Sequence, residues 1–143
     1  MDERLLNAVK FTSLRRIPHP KGDIFHAMKQ SEPDFHGFGE AYFTAIVHGE
    51  IKGWKRHARM HLNLVVPVGL VRFYIHDAEQ GKTIAYDVGH SNYGRLSIPP
   101  RLWVGFQGIS DDFNLVLNIA SIEHDPDEAT NAPIDTFPIN STP

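Results

Sequence analysis

The chain has 143 residues, 41% of them apolar, with a formal charge of −3 and no cysteine. One domain with its own hydrophobic core fits that length. Disulfide scaffolding and thiolate chemistry are excluded, and the basic residues are too scattered for the wide footprint that long nucleic acids require.

No apolar run approaches the ~20 residues of a membrane helix, so neither a membrane nor a nucleic-acid partner is expected. Asp2 and Glu3 open the chain without an apolar leader, which points to a cytoplasmic protein. Residues 3–10 can form a short amphipathic helix with Leu5, Leu6 and Val9 on one side. From 17 to 39 the chain is rich in Pro, Gly, His and Asp and reads as loop, with an edge strand around 24–28. The helical period then disappears. Residues 41–47, 53–57, 62–68, 70–76, 82–88, 102–106 and 113–120 read as strands, separated by turn signals such as His48-Gly49, Gly69, Gln80-Gly81 and Asn92-Tyr93-Gly94. Short strands at this spacing predict an all-β sandwich or barrel. The expected layout is an N-terminal helix and loop over 1–20, a barrel over 21–124 and an extended tail over 125–143, in a single domain.

Lys52, Lys55, Arg56 and Arg59 form the one local basic cluster, sized for one or two phosphate groups. On a regular strand Lys55 and His57 point the same way, about 7 Å apart. Further along, Ile98-Pro99-Pro100-Arg101-Leu102-Trp103-Val104-Gly105-Phe106 is a Pro-Pro turn leading into an aromatic strand, the shape of a pocket rim. A basic floor under an aromatic rim suits an anionic ligand with flat or ring-shaped parts.

In this order, the motifs resemble those of the dTDP-4-dehydrorhamnose 3,5-epimerase family, cupin-fold enzymes of bacterial nucleotide-sugar and polysaccharide biosynthesis. Lys21-Gly22-Asp23-Ile24-Phe25 resembles the family's Arg-Gly-aromatic segment, and Ile51-Lys52-Gly53-Trp54-Lys55 its Arg-Gly-Leu-His strand. Residues 69–77 resemble the next hairpin, 98–106 the Pro-Pro segment, and 118–126 a tyrosine-rich strand before a proline. The likeness runs from about 20 to 138. It implies a cupin-type jelly roll, a nucleotide-sugar substrate and no cofactor; a homodimer is expected because such a barrel leaves sheet edges and an extended N-terminal segment available for pairing. At key positions this chain departs from the family. The family's histidine base falls on Lys55, its tyrosine acid on Asn118, a second tyrosine on His124, and a phosphate-binding arginine on Lys52. A further family lysine falls on Leu62 or Asn63. The family's carboxylate that orients the base would fall beyond residue 143; within the chain, Asp77 at the end of a hairpin is the candidate to orient a histidine, with a plain turn carboxylate as the alternative.

Epimerisation beside a ketone requires a base for a carbon-bound proton, an acid on the other face, and a cation or donor at the developing enolate oxygen. His57 is the natural base near neutral pH, and Lys55 the enolate stabiliser or an alternative base. His124 is the candidate acid, while Asn118, which has no proton to give, would bind. Lys21, His26, Lys52, His61, Asn63 and Trp103 are the remaining candidate substrate contacts; solvent-facing or core roles are the plain alternative for each. A metal site is not expected, because His57 and His61 are four apart and Val104 stands where a third histidine would be needed. The resemblance, together with the Lys55/His57 pair, implies epimerisation or isomerisation of a nucleotide-linked 4-keto-6-deoxy sugar. The alternative is a non-catalytic cupin that binds a nucleotide sugar or glycan, or supports a partner enzyme.

Overall fold

A computed structural model describes residues 4–139. In chain order the elements are α1 (Arg4–Asn7), β1 (Lys10–Ser13), β2 (Arg16–Ile17), β3 (Ile24–Phe25), β4 (Glu40–Ala45), β5 (Ile51–His57), β6 (Leu62–Val68), β7 (Leu70–Asp77), β8 (Lys82–Gly89), β9 (Gly94–Ile98), β10 (Trp103–Gly108) and β11 (Leu115–Ala120). A 3₁₀ turn (Pro126–Glu128), β12 (Ala129–Asn131) and a second 3₁₀ turn (Ile134–Thr136) follow.

Two five-stranded antiparallel sheets face each other as a jelly roll. Sheet A has the order β1-β9-β6-β11-β4, and sheet C the order β12-β5-β10-β7-β8; β2 and β3 form a small separate ribbon. Alternation explains the packing between the sheets. Leu62, Leu64 and Val66 of β6 meet Val71, Phe73 and Ile75 of β7, with Leu96, Ile98, Val116 and Ala120 filling the space between. Such side chains are close-packed, so truncating Leu96 to alanine would cost about 2–5 kcal/mol.

Three features differ from the sequence reading. The helix is shorter than 3–10, because Lys10 already begins β1, which pairs with β9 from Lys10↔Ser97 to Ser13↔Gly94. Residue 3 lies outside the described residues. Strand β9 itself has no clear signal, since its second residue, Arg95, is a charge at a position that folding buries completely. That guanidinium holds the loop after β3 against the outside of sheet A, donating to Ala27 O at 2.7 Å and Glu32 Oε2 at 3.1 Å. Burial pushes the Glu32 carboxyl up, but the Lys29 amide and Arg95 outweigh it and hold it below the usual range. The third difference is the tail: β12 pairs with β5, and residues through 139 run over sheet C. Residues 140–143 of the predicted tail lie outside the described residues.

Candidate functional site

The open end of the roll holds a cavity of about 440 Å³ between the two sheets. Sheet C supplies Lys52, Lys55, His57, Phe73, Val104 and Phe106, with Asn131 from β12; sheet A supplies Tyr42, Thr44, Leu62, Leu64, Val116 and Asn118. The interior is apolar, and charge gathers on the sheet C wall.

An irregularity in β5 creates that wall. Val104 stands opposite Lys55 and Phe106 opposite Lys52, so Gly53 and Trp54 together face Gly105 alone. This is a β-bulge, and the extra residue reverses the alternation of the strand. Lys52 and Lys55, three apart, therefore share the cavity with His57. Gly53 is needed here: its φ is 153°, and a Cβ would lie 2.7 Å from Gly105 Cα. Lys52 Nζ reaches across to Ala45 O at 2.8 Å, tying the wall to β4. The Pro-Pro turn carries the chain from sheet A to sheet C and clamps the histidine's backbone, with Arg101 N donating to His57 O at 2.7 Å.

His57 is buried, and its Nδ1 lies 2.7 Å from Glu128 Oε1. The other carboxylate oxygen accepts from Arg59 N and Met60 N, each at 2.8 Å. Burial pushes the Glu128 carboxyl up, but the His57 hydrogen bond and the two amides outweigh it and hold it below the ordinary carboxylate range. Glu128 is thus an anion at neutral pH, and only a protonated Nδ1 can donate to it. In neutral His57 the unprotonated nitrogen is then Nε2, which is left for a ligand in the cavity. The carboxylate against His57 thus comes from Glu128 of the tail, and Asp77 has the turn role instead, its Oδ1 accepting from Glu79 N at 3.0 Å.

Across the cavity, Asn118 Oδ1 accepts from the backbone amide of Asn63 at 3.3 Å. That bond fixes the orientation of the side-chain amide, because a backbone N–H can only donate. Nδ2 must then donate to Tyr42 Oη, 3.1 Å away, which leaves the phenolic proton free. Tyr42 and Glu128 were not singled out from sequence. Tyr42 sits in a β-branched, aromatic strand that reads as packing, and Glu128 lies 71 residues from its partner.

The structure brings Lys52, Lys55, His57 and Asn118 together on the cavity and leaves the other candidates elsewhere. His124 is an exposed residue in the loop after β11, and Lys21 is exposed beside the β2–β3 ribbon. His26 is half-buried, with its carbonyl accepting from Tyr93 Oη at 2.7 Å. Asn63 faces the outside of sheet A, bonded to Ser97 Oγ and Asp34 O. His61 stacks on His36 there, centroids 3.9 Å apart, and Trp103 faces the tail on the outside of sheet C, its ring 5.5 Å from Phe137.

No protein-family model matches the chain. Among solved structures, a dTDP sugar isomerase from Desulfovibrio desulfuricans G20 shares 32% sequence identity and superposes with a TM-score of 0.89, over 94% of this chain and 90% of that one. The sugar 3,4-ketoisomerase QdtA from Thermoanaerobacterium thermosaccharolyticum, solved with TDP, has the same fold at 17% identity and a TM-score of 0.75, over 87% of this chain and 88% of its own. The probable low-salt glycan biosynthesis epimerase Agl13 of Haloferax volcanii is 28% identical over 97 residues; the match spans 62% of this chain and 62% of that protein.

Proposed function

The chain belongs to the cupin-fold family of dTDP-sugar epimerases and isomerases, and on that premise we propose that it isomerises a nucleotide-linked 4-keto-6-deoxy sugar through an enolate. The observation that carries this reading is the buried His57–Glu128 pair on one wall of a cavity whose other wall presents a phenol. Of structures with a similar fold, NovW from Streptomyces spheroides is by name a 4-keto-6-deoxy sugar epimerase and QdtA a sugar 3,4-ketoisomerase, which supports the substrate class.

His57 Nε2 takes the proton from the carbon beside the ketone. The electron pair of that C–H bond moves onto the carbonyl oxygen, and the imidazolium formed is stabilised by the Glu128 anion. Lys55, whose side chain makes no hydrogen bond or ion pair with the described residues, is available for the enolate oxygen; Lys52 suits a phosphate oxygen. Tyr42 Oη, held by Asn118, returns a proton from the sheet A side and is reprotonated by water, since the residue is 41% exposed, while His57 Nε2 releases the proton it took to water. Base and acid on opposite sheets reach opposite faces of one carbon, which is what inversion requires. The apolar interior formed by Leu64, Phe73, Phe106 and Val116 suits a 6-deoxy carbon.

Incubation with nucleotide 4-keto-6-deoxy sugars in D₂O, followed by proton NMR, tests this. Deuterium is expected at C3 or C5 with inversion there. Deuterium without inversion, together with a carbonyl moved to C3, would replace epimerisation by keto migration. Binding with every carbon-bound proton retained would defeat the enolate reading and favour a non-catalytic binding role.

A further inference from the structure

Glu128 reaches His57 from a three-residue 3₁₀ turn, followed by the three-residue edge strand β12. Strands this short are marginal alone. Backbone bonds help: Ala58 N donates to Glu128 O at 2.9 Å, and Trp54 and Ala132 exchange two bonds of 3.0 Å each. Beyond them the tail is held by side chains on the outer face of sheet C, the face away from the cavity. Trp54 Nε1 donates to Ile134 O at 3.0 Å. Phe137 then stacks on His76 at 3.9 Å and 20°, and meets Trp54 edge-on at 5.4 Å and 77°. Burial pushes the His76 imidazole down, against a smaller upward pull from Asp77, so the stacked ring is neutral. Gly105 provides the seat, because a Cβ there would come within 3.4 Å of the indole and 3.2 Å of Lys52 O.

We infer that Phe137, through Trp54, is a positioning residue for the base: its ring on the outer face holds the tail so that Glu128 meets His57 on the inner one. The inference rests on the reading of His57 as the base. Trp54 links the two faces, since it belongs to the bulge that turns Lys52, Lys55 and His57 into the cavity and its indole also anchors the tail. Removing the Phe137 ring lets the tail fray back toward Glu128, which costs orientation of the imidazole and leaves the cavity walls that bind substrate intact.

A double-mutant cycle and one NMR signal test this. Glu128→Gln alone is expected to lower kcat about a hundredfold. Phe137→Ala is expected to lower kcat roughly tenfold with KM little changed, short of the ~10²-fold that a misplacement of about 1 Å can cost. Phe137→Leu should recover most of that loss. In the Glu128→Gln background, Phe137→Ala should add nothing; losses that multiply would overturn the inference. Independently of turnover, the His57 Nδ1–H···Glu128 bond should give a downfield proton resonance that Glu128→Gln abolishes. Phe137→Ala should broaden or remove it, whereas a resonance of unchanged position and width would overturn the inference. If no keto sugar is turned over, the functional reading fails and this resonance still decides the positioning role. Should Phe137→Ala not fold, Trp54→Phe, which keeps an aromatic ring but loses the indole donor to Ile134 O, takes its place with the same two outcomes.

Discussion

His57 and His61 stand four residues apart, yet one faces the cavity between the sheets and the other a recess outside it. His57 ends β5 on the cavity face of sheet C and meets a buried carboxylate anion at 2.7 Å. His61 enters β6 on the outside of sheet A and meets another imidazole, His36, in a recess of about 190 Å³ lined also by Asp34, Asn63 and Ser97. Burial pushes the His61 imidazole down, and His36 adds to the push. One histidine is hydrogen-bonded to a carboxylate; the other is stacked on a second imidazole in surroundings that oppose its protonation. A titratable residue therefore takes its role from the groups that folding places against it, and neighbours in sequence say little about it.

The comparison breaks most visibly at His57. His57→Ala should lower the rate of carbon-proton exchange into D₂O by about 10²–10⁴-fold, whereas His61→Leu should leave it within a factor of about 2, because its effect is confined to the outer recess. Equal losses in the two variants would remove the distinction. Tyr42→Phe sharpens the cavity side. Inversion should fall about a hundredfold, while exchange persists because His57 still takes the proton. Loss of both together would assign Tyr42 to the first proton transfer.

A smaller effect is expected from charge. Lys52→Ala should raise KM about tenfold, the worth of one charge-assisted hydrogen bond of roughly 1.5 kcal/mol. The rise should shrink at high salt, as a partly exposed lysine demands. A salt-independent KM would place Lys52 away from the phosphates.

The smallest effect is thermal. The folded-state pKa values of His61 and His76 lie below the unfolded value of about 6.5. Their contribution to stability is complete above that value and is lost as pH falls through it toward the folded values. The Tm should therefore drop between about pH 7.5 and 5.5, and drop less in His61→Leu. Glu128 behaves as a depressed carboxyl, so its contribution disappears only further down, below the ordinary carboxylate pKa of about 4.3. A Tm profile of His61→Leu parallel to that of the wild type would show that the His36–His61 stack carries no linkage.

Much of the fold was legible. Residues 62–68, 70–76 and 82–88 alternate or run apolar between clear turns, and they became β6, β7 and β8 almost residue for residue. The jelly roll followed from strand spacing together with the family motifs. Strand β9 was hidden by Arg95, a charge that the sequence marks as solvent-facing and folding buries with Glu32, Asp34 and Ala27 around it. The tail looked featureless because its strand has three residues and its anchor, Phe137, is one aromatic among prolines.

The candidate site was half legible, for a related reason. Lys55 and His57 are two apart on one strand, so a local rule brings them together. Lys52 joins them only through the bulge at Gly53 and Trp54, an irregularity set by the close approach of Gly105 on β10. Asn118 was marked by the family motif, but its partner Tyr42 lies 76 residues away on an adjacent strand.

The residues by themselves determined the all-β architecture, the apolar interior and the basic strand, because strand periodicity and charge are properties of neighbours along the chain. Which histidine received a carboxylate, and which wall received a phenol, was decided only when distant segments closed around the cavity. Glu128 is an unremarkable acid in a proline-rich tail until β12 pairs with β5. Partnership across 71 residues is a product of sheet register and tail packing, and neither is encoded locally.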